Sequence, residues 1–328
     1  MSDRTIPEEA RALWITAAGE CELRAEALPV PGPDEVVLES LFGAISRGTE
    51  RLIFEGRVPP AEYERMRGPR QAGDFPFPVK YGYALVARIV EGPDERIGQT
   101  VFSLHPHQDR AVVGSGEVVR VPDAVPAARA VLAANMETAL NVVWDAGIGP
   151  GDRVGIVGGG LVGLLCGWLT GRIPGVETCL VDVDPSRASV AAALGIGFAP
   201  PDGVAQDCDV VLHLSGRGEG LGTAVAMAGF EARIVEASWY GEGEVPVALG
   251  GAFHSRRLSI VASQVGTVPP GRRARWTTRR RLEAALSLLA DDRLDVLISG
   301  ETPFGELAAA YHGILTASRT LCHRIRYV

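Results

Sequence analysis

The chain has 328 residues, enough for two domains of ordinary size with a hydrophobic core in each. Hydrophobic residues make up 46% of the sequence and charged residues 22%, which is typical of a globular protein and argues against a disordered one. The formal net charge of −8 argues against a nucleic-acid partner, because such partners are held by neutralising their phosphates.

Cysteine usage and apolar runs indicate the compartment. The five cysteines are scattered, odd in number and never in a C-x-x-C pair, which argues against a disulfide framework or a structural zinc lobe. The acidic start lacks the basic and apolar regions of a signal peptide. Residues 154–171 are uncharged, but seven of the eighteen are glycine, which favours a strand turning into a helix over a membrane span. We therefore expect a cytoplasmic protein.

The first 120 residues predict a strand-rich domain. From residue 13 onward, short strand-like pieces are separated by Pro and Gly, at residues 35–40, 84–90, 100–104 and 117–121. Short strands with frequent turn signals predict a compact, partly open β-barrel. The pattern changes at Ala127, where residues 127–145 are rich in Ala, Leu and Val at helical spacing.

The middle of the chain alternates strands with helices. Apolar strands are predicted at residues 153–158, 178–182, 209–214, 232–236 and 258–262, with helices between the earlier ones. Such alternation predicts a doubly wound parallel sheet covered on both faces, an α/β fold. Helices at 279–290 and 304–315 and a closing strand at 321–328 complete the chain.

A glycine-rich motif follows the first strand of this alternation. It reads Gly158, Gly159, Gly160, Leu161, Val162, Gly163 and directly precedes a helix. Gly158 permits a tight turn, Gly160 lets backbone amides approach a pyrophosphate, and Gly163 allows the helix to pack closely on the strand. The helix N-terminus adds partial positive charge for the phosphates. The motif predicts a dinucleotide-binding site.

The residues after the second strand indicate which dinucleotide binds. Asp182 comes nineteen residues after Gly163, and a carboxylate there accepts both ribose hydroxyls of NAD and repels the 2′-phosphate of NADP. Arg187, five residues further on, is the main objection, because an Arg there can hold that phosphate. We predict NAD in preference to NADP.

Several local sequences resemble the medium-chain dehydrogenase/reductase superfamily over nearly the whole chain. Residues 43–47 match its G-x-x-C-[RH] motif in part, residues 81–83 fall where relatives carry P-G-H-E, residues 136–138 precede the nucleotide-binding domain, and residues 151–154 begin its first strand. The resemblance implies an N-terminal GroES-like catalytic domain of residues 1–134 and 265–328, and a Rossmann NAD(P)-binding domain of residues 135–264.

The sequence departs from this family at the metal ligands. In zinc-dependent relatives a Cys, a His and a second Cys or an acid hold the catalytic metal. Here these positions read Ser46, Tyr83 and Ala134, and the Glu that normally follows the His is Ala84. Residues 104–112 are too short for the four-cysteine structural lobe. We therefore expect no zinc.

The resemblance also implies further cofactor contacts. Arg47 falls where relatives contact the pyrophosphate, and Thr138 falls where a Thr touches the nicotinamide. Ser215 and Arg217 fall near the adenosine ribose. Arg326 matches an Arg that some relatives use for phosphate.

Without zinc, another group must donate a proton or stabilise charge on the substrate oxygen. Tyr83 replaces the zinc-binding His, although its ring alternatively fills the vacated volume. His105 follows a strand and titrates near neutral pH in the usual case, or it caps a loop. Thr49 offers a hydroxyl relay, and Glu50 reads as a helix-start carboxylate favoured by the dipole.

Two pairs of residues have open interpretations. His105 and His107 resemble a metal-binding pair, but no third ligand lies nearby in sequence. Trp239 and Tyr240 follow a strand of the parallel sheet, where they either wall a substrate pocket or pack at a domain surface.

We therefore predict a zinc-independent, NAD(H)-dependent oxidoreductase that moves hydride between nicotinamide and a secondary alcohol or ketone. One alternative is a quinone or enoyl reductase acting on C=C bonds, which commonly prefers NADPH. An alternative of another class is a non-catalytic nucleotide-binding redox sensor or scaffold, since fold alone never proves activity. The expected partners are a small-molecule substrate and a second copy of the chain, paired through residues 258–262, with no membrane and no nucleic acid.

Overall fold

The computed structural model describes residues 9–204 and 206–328, and these form two compact units. Residues 9–134 and 298–328 make the strand-rich unit, and residues 135–297 make the parallel-sheet unit. No helix in this described part of the chain combines the length and apolarity needed to cross a bilayer.

The elements alternate much as the sequence pattern predicts. The strands are β1 (Glu9–Ala17), β2 (Glu20–Ala27), β3 (Glu35–Ile45), β4 (Ala72–Gly73), β5 (Val79–Lys80), β6 (Leu85–Glu91), β7 (Thr100–Ser103), β8 (Arg110–Gly114), β9 (Val119–Arg120), β10 (Arg153–Val157), β11 (Glu177–Val181), β12 (Gly197–Ala199), β13 (Cys208–His213), β14 (Ala228–Glu236), β15 (Ser259–Ala262), β16 (Ile298–Pro303) and β17 (Cys322–Arg326). The helices are α1 (Arg47–Phe54), α2 (Ala127–Ala130), α3 (Ala133–Ala146), α4 (Leu161–Thr170), α5 (Arg187–Leu194), α6 (Gly218–Met227), α7 (Thr278–Leu288) and α8 (Leu307–Thr316).

The strand-rich unit contains two open sheets. One has the order β2-β1-β5-β4, and the other has the order β16-β17-β3-β6-β7-β9 with β8 also paired to β3. Alternate apolar residues of β3, β6 and β8, such as Val36, Leu38, Ile89 and Val113, are fully buried, which is the pattern of a sheet with one face in a core. The hairpin of β1 and β2 was not predicted, because β2 alternates charged with small residues and buries none of them fully.

The parallel-sheet unit has the strand order β12-β11-β10-β13-β14-β15, and every neighbouring pair is parallel. The chain runs outward from β10 to β12 and then returns to β13 on the other side of β10. In such doubly wound sheets, ligands bind beyond the carboxyl ends of the strands at this reversal. The predicted α/β fold class is confirmed.

The structure differs from the predicted domain limits in one segment. Residues 265–297, assigned from sequence to the catalytic domain, belong to the parallel-sheet unit. This segment contacts the rest of the unit through a buried ion pair between the guanidinium of Arg281 on α7 and Glu137 on α3, at 3.0 Å, and through a contact of 2.7 Å between Arg172 and Asp291. The single helix predicted at 127–145 is divided into α2 and α3.

Candidate functional site

The glycine motif forms the turn between β10 and α4. Gly158 has a φ of +114°, a conformation that side chains other than glycine rarely adopt. A β-carbon on Gly163 would lie 1.9 Å from the carbonyl oxygen of Gly158, so only glycine fits where the helix crosses the strand end. A β-carbon on Gly160, the residue before α4, would meet nothing within 4 Å. The space beside Gly160 is therefore open, and it adjoins the first residues of α4, Leu161 and Val162.

Asp182 directly follows β11 and lies against this turn. The amide of Gly159 donates to its Oδ2 at 2.5 Å, and the amide of Asp184 donates to its Oδ1 at 2.8 Å. The side chain of the next residue, Val183, is 84% exposed. A carboxylate fixed by backbone amides beside an exposed apolar side chain provides one polar and one apolar surface for a nucleoside.

Arg187, the residue that the sequence left as an objection to NAD, is buried. Its Nε lies 3.6 Å from Asp184 Oδ2, and its Cγ would lie 3.1 Å from a β-carbon on Gly159. The stem of Arg187 therefore supports the glycine turn from behind, while the guanidinium is paired with Asp184.

Ser215 and Arg217 lie in the loop between β13 and α6, beside the same turn. The amide of Leu214 donates to the carbonyl of Val157 at 2.8 Å, and a β-carbon on Gly158 would lie 2.6 Å from the amide nitrogen of Ser215. Arg217 is exposed and precedes α6. The structure thus brings Gly158, Asp182 and Ser215 together at one edge of the sheet.

Sequence reasoning missed two ionisable residues at this edge. His213 ends β13 and Glu236 ends β14, and their side chains are hydrogen-bonded at 2.7 Å between Nδ1 and Oε2. The second ring nitrogen of His213 lies 2.7 Å from Ser215 Oγ. The available signal was their position as the last residues of two neighbouring parallel strands, where ligand-contacting side chains collect.

Tyr83 carries the principal polar group that the sequence analysis singled out in the strand-rich unit. Its half-buried phenol lies near the hydroxyls of Ser46 and Thr49, which lie just before and within α1. Burial raises the pKa of Tyr83 to about 12, helped by the negative charge of Glu50, although the two hydroxyls oppose the shift. Tyr83 is therefore a protonated hydroxyl at neutral pH.

Glu50 does more than the helix-start role predicted for it. The amide of Ser46 donates to its Oε1 at 2.7 Å, while His107 Nε2 and the hydroxyl of Tyr311 bond to its Oε2 at 2.8 and 2.6 Å. Burial by itself raises the pKa of Glu50, but the charge of His107 and these hydrogen bonds outweigh it and lower the pKa below its usual value. His107 is thus bound to a carboxylate inside the protein.

His105 is buried, with its Nδ1 3.0 Å from the carbonyl oxygen of Pro106. Burial lowers its pKa to about 4, so the ring is neutral at neutral pH. A neutral imidazole is a poor proton donor, although its other nitrogen remains a base.

The remaining predicted residues have local partners. Arg47 donates to the carbonyl of Ala317 at 3.1 Å, and Arg326 donates to Glu301 at 3.1 Å. Thr138 lies in α3 and is partly buried. Their contacts with a cofactor stay predictions, as do the roles of the other site residues.

The positions that hold zinc in the resembled family offer a hydroxyl, a phenol and a methyl group, from Ser46, Tyr83 and Ala134. Within residues 9–204 and 206–328, no group of three or more His, Cys, Asp or Glu side chains is arranged to hold a metal. This donor set does not fit zinc, which prefers thiolate, imidazole and carboxylate ligands.

No protein-family profile matches the sequence, and no curated protein sequence matches it significantly. Solved structures do match. L-idonate 5-dehydrogenase of Escherichia coli K-12 has a TM-score of 0.79 at 16% identity, covering 97% of this chain and 98% of that one. Acetophenone reductase of Geotrichum candidum, in complex with NAD, has a TM-score of 0.78 at 15% identity, covering 98% of both chains.

A third similar structure is a Sinorhizobium meliloti 1021 protein that carries the provisional name of zinc-binding dehydrogenase and is bound to NADP. It has a TM-score of 0.77 at 19% identity, covering 98% of this chain and 100% of that one. At such low identities the likeness establishes the fold. The chain therefore shares the fold of these dehydrogenases and reductases over essentially its whole length.

Proposed function

We propose that this protein is an NAD(H)-dependent oxidoreductase of the medium-chain dehydrogenase/reductase type, acting on a secondary alcohol or ketone without zinc. The observation that carries the proposal is the convergence of an open glycine turn, a fixed carboxylate and a serine at one edge of a doubly wound sheet. Nicotinamide, when bound, supplies the hydride.

The parallel-sheet unit provides the groups that bind such a cofactor. The turn at Gly158–Gly163 leaves room for a pyrophosphate at the start of α4, and Asp182 offers its carboxylate to ribose hydroxyls. The pairing of Arg187 with Asp184 supports the choice of NAD, because a buried guanidinium that already faces a carboxylate is a weaker phosphate ligand. NADP is the alternative, and the NADP-bound structure of the same fold makes it worth measuring.

In the strand-rich unit, Tyr83 takes the role of proton donor to the substrate oxygen. Its hydroxyl lies near those of Ser46 and Thr49 and keeps its proton at neutral pH. Thr49 relays a proton to the phenol after transfer. His105 is the weaker candidate for this role, because burial leaves its ring neutral.

Three measurements on the purified protein test the proposal. Calorimetric titration with NADH and with NADPH is expected to show that NADH binds at least about tenfold more tightly. The reason is that the 2′-phosphate of NADPH replaces a ribose hydroxyl that donates to the charged Asp182 carboxylate, so one charged hydrogen bond is lost. Metal analysis is expected to find less than stoichiometric zinc, with reduction of ketones by NADH unchanged after dialysis against a chelator. The third measurement uses NADH that carries deuterium at the transferred position, and the deuterium is expected to appear in the alcohol formed from a ketone.

The outcomes separate the alternatives. Tighter NADPH binding with reduction of enones would favour a C=C reductase. Binding of NADH with no deuterium transfer to any ketone or enone would favour a non-catalytic nucleotide sensor. Stoichiometric zinc that is required for turnover would overturn the zinc-independent mechanism, and a failure to bind either cofactor would overturn the whole proposal.

A further inference from the structure

A chain of four hydrogen-bonded side chains lies at the carboxyl edge of β13 and β14. Ser215 Oγ lies 2.7 Å from His213 Nε2, and His213 Nδ1 lies 2.7 Å from Glu236 Oε2. The hydroxyl of Tyr240 donates to the same carboxylate oxygen at 3.0 Å, and the amide of Ser238 donates to the other oxygen at 2.8 Å. None of these side chains except Ser215 entered the proposed function.

The protonation pattern of this chain follows from its chemistry. Burial alone raises the pKa of Glu236, but its bonds with His213 and Ser238 outweigh burial and lower it, so the carboxylate is ionised. An ionised carboxylate accepts, so His213 Nδ1 carries the proton in that bond. The tautomer with its proton on Nδ1 has Nε2 as an acceptor, and the hydroxyl of Ser215, 2.7 Å away, is its donor.

The tautomer of His213 determines whether Ser215 Oγ donates a hydrogen bond to a ligand or accepts one from it. Two acceptors compete for the Ser215 hydroxyl proton, and His213 Nε2 at 2.7 Å is closer than the carbonyl oxygen of Arg217 at 3.3 Å. With the proton given to His213, Ser215 Oγ has only lone pairs left, and one of them accepts from the amide of Arg217 at 3.1 Å. The remaining lone pair is available to a donor. Because the Ser215 amide lies against Gly158, a molecule bound at the glycine turn would lie beside this lone pair.

We infer that His213 and Glu236 are positioning residues that present Ser215 Oγ as a hydrogen-bond acceptor to a ribose hydroxyl of the bound dinucleotide. The inference rests on the proposed function and adds to it a specific polar contact for the sugar. It also explains the crowding of α6 against this group, where a β-carbon on Gly220 would lie 2.2 Å from Ser215 Oγ. Only glycine therefore fits at position 220 beside the bonded pair of Ser215 and His213.

The same three residue types make up the nucleophilic triads of hydrolases. In this protein, Ser215 Oγ is covered by Gly220 on one side and bonded to the Arg217 amide on another, which hinders attack on an acyl carbon. We therefore assign the group to positioning and include nucleophilic reactivity as an outcome of the test.

A double-mutant cycle tests the inference through NADH affinity, measured by fluorescence titration. His213→Leu and Ser215→Ala are each expected to raise the Kd for NADH about tenfold, the effect of one hydrogen bond. The double variant is expected to raise it by no more than about tenfold, because His213 acts through Ser215. His254→Leu, at an exposed histidine of the same unit, is the control and is expected to leave the Kd unchanged.

Several outcomes would overturn the inference. An unchanged Kd in His213→Leu, a loss of about a hundredfold in the double variant, or labelling of Ser215 by a fluorophosphonate probe would each do so. If His213→Leu fails to fold, Glu236→Gln replaces it with the same expected loss, since it removes the charge that fixes the tautomer. Wild-type protein that does not bind NADH overturns the proposed function first, whereas wild-type binding with unaltered variants overturns this inference alone.

Discussion

Gly158 and Ser215 approach so closely that a β-carbon on Gly158 would lie 2.6 Å from the Ser215 amide nitrogen. The contact joins the turn after β10 to the loop after β13, at the point where the strand order reverses. The two loops therefore form one surface, and a change in either is expected to alter the binding of the same ligand.

Two glycines of the turn separate folding from binding. Gly163→Ala is expected to destabilise the protein by about 2 kcal/mol, because the added carbon overlaps the Gly158 carbonyl oxygen. The methyl group added by Gly160→Ala meets no protein atom, so we expect an unchanged melting temperature. The same methyl group occupies the space proposed for the pyrophosphate, so we expect the Kd for NADH to rise at least about tenfold, the effect of one lost contact. Thermal melts and NADH titration check both, and tight binding by Gly160→Ala would contradict the assignment of this turn to a pyrophosphate.

Asp182 is expected to determine the choice between the two nicotinamide cofactors. Asp182→Asn removes the charge that repels a 2′-phosphate. It also replaces one of the two oxygens that accept from the amides of Gly159 and Asp184, so the measured quantity is a ratio of two affinities in the same variant. We expect the ratio of the Kd values for NADPH and NADH to fall about tenfold, as measured by titration with each cofactor. Asp202→Asn, at an exposed aspartate of the same unit, is the control. An unchanged ratio in Asp182→Asn would remove Asp182 from cofactor selection.

Tyr83→Phe is expected to lower kcat for ketone reduction at least about a hundredfold while leaving NADH affinity unchanged, because only the proton donor is lost. Tyr81→Phe is the matched control, since Tyr81 is a buried neighbour whose ring packs edge to face with that of Tyr83, with 6.0 Å between the ring centroids. Steady-state kinetics and NADH titration make the measurement. If His105→Asn, and not Tyr83→Phe, abolishes turnover, the proton role belongs to His105.

The pH dependence of reduction gives an independent check on the donor. Burial raises the pKa of Tyr83 to about 12 and lowers that of His105 to about 4, so neither group titrates near neutral pH. We expect kcat to be constant between about pH 6 and 10, because a general acid stays active until pH approaches its pKa. A loss of kcat centred near pH 7 in wild-type protein would require a different donor.

Glu50 is expected to control the stability of the strand-rich unit at low pH. Its pKa is lowered in the folded state, so its contribution is complete above the unfolded pKa and is lost as pH falls through the folded pKa. Glu50→Gln leaves His107 and Tyr311 with a neutral partner, and we expect a loss of about 3 kcal/mol at pH 7 that shrinks in acid. Urea unfolding at several pH values measures this. Glu62→Gln, at a residue near the surface, is expected to change little.

The sequence predicted the local structure of those parts of the candidate site that depend on backbone chemistry. A strand that turns into a helix over an anion needs glycine at fixed spacing, so Gly158, Gly160 and Gly163 were identifiable from their context alone. Asp182 was identifiable because it ends the next strand of the alternation. Alternating strands and helices also determined the α/β fold, since a parallel sheet requires crossover connections.

Only the tertiary structure decided which distant side chains meet. Glu50 is 57 residues from His107 and 261 from Tyr311, and no sequence pattern links them. The same holds for Arg281, whose guanidinium forms a buried ion pair with Glu137, 144 residues away. For His213 and Glu236, the strand ends indicated the edge of the sheet, but only the folded chain shows that the two side chains are hydrogen-bonded. A buried ionisable group needs a partner, because leaving it unpaired costs roughly several kcal/mol of folding free energy. Which residue becomes that partner is determined by the packing of the folded chain.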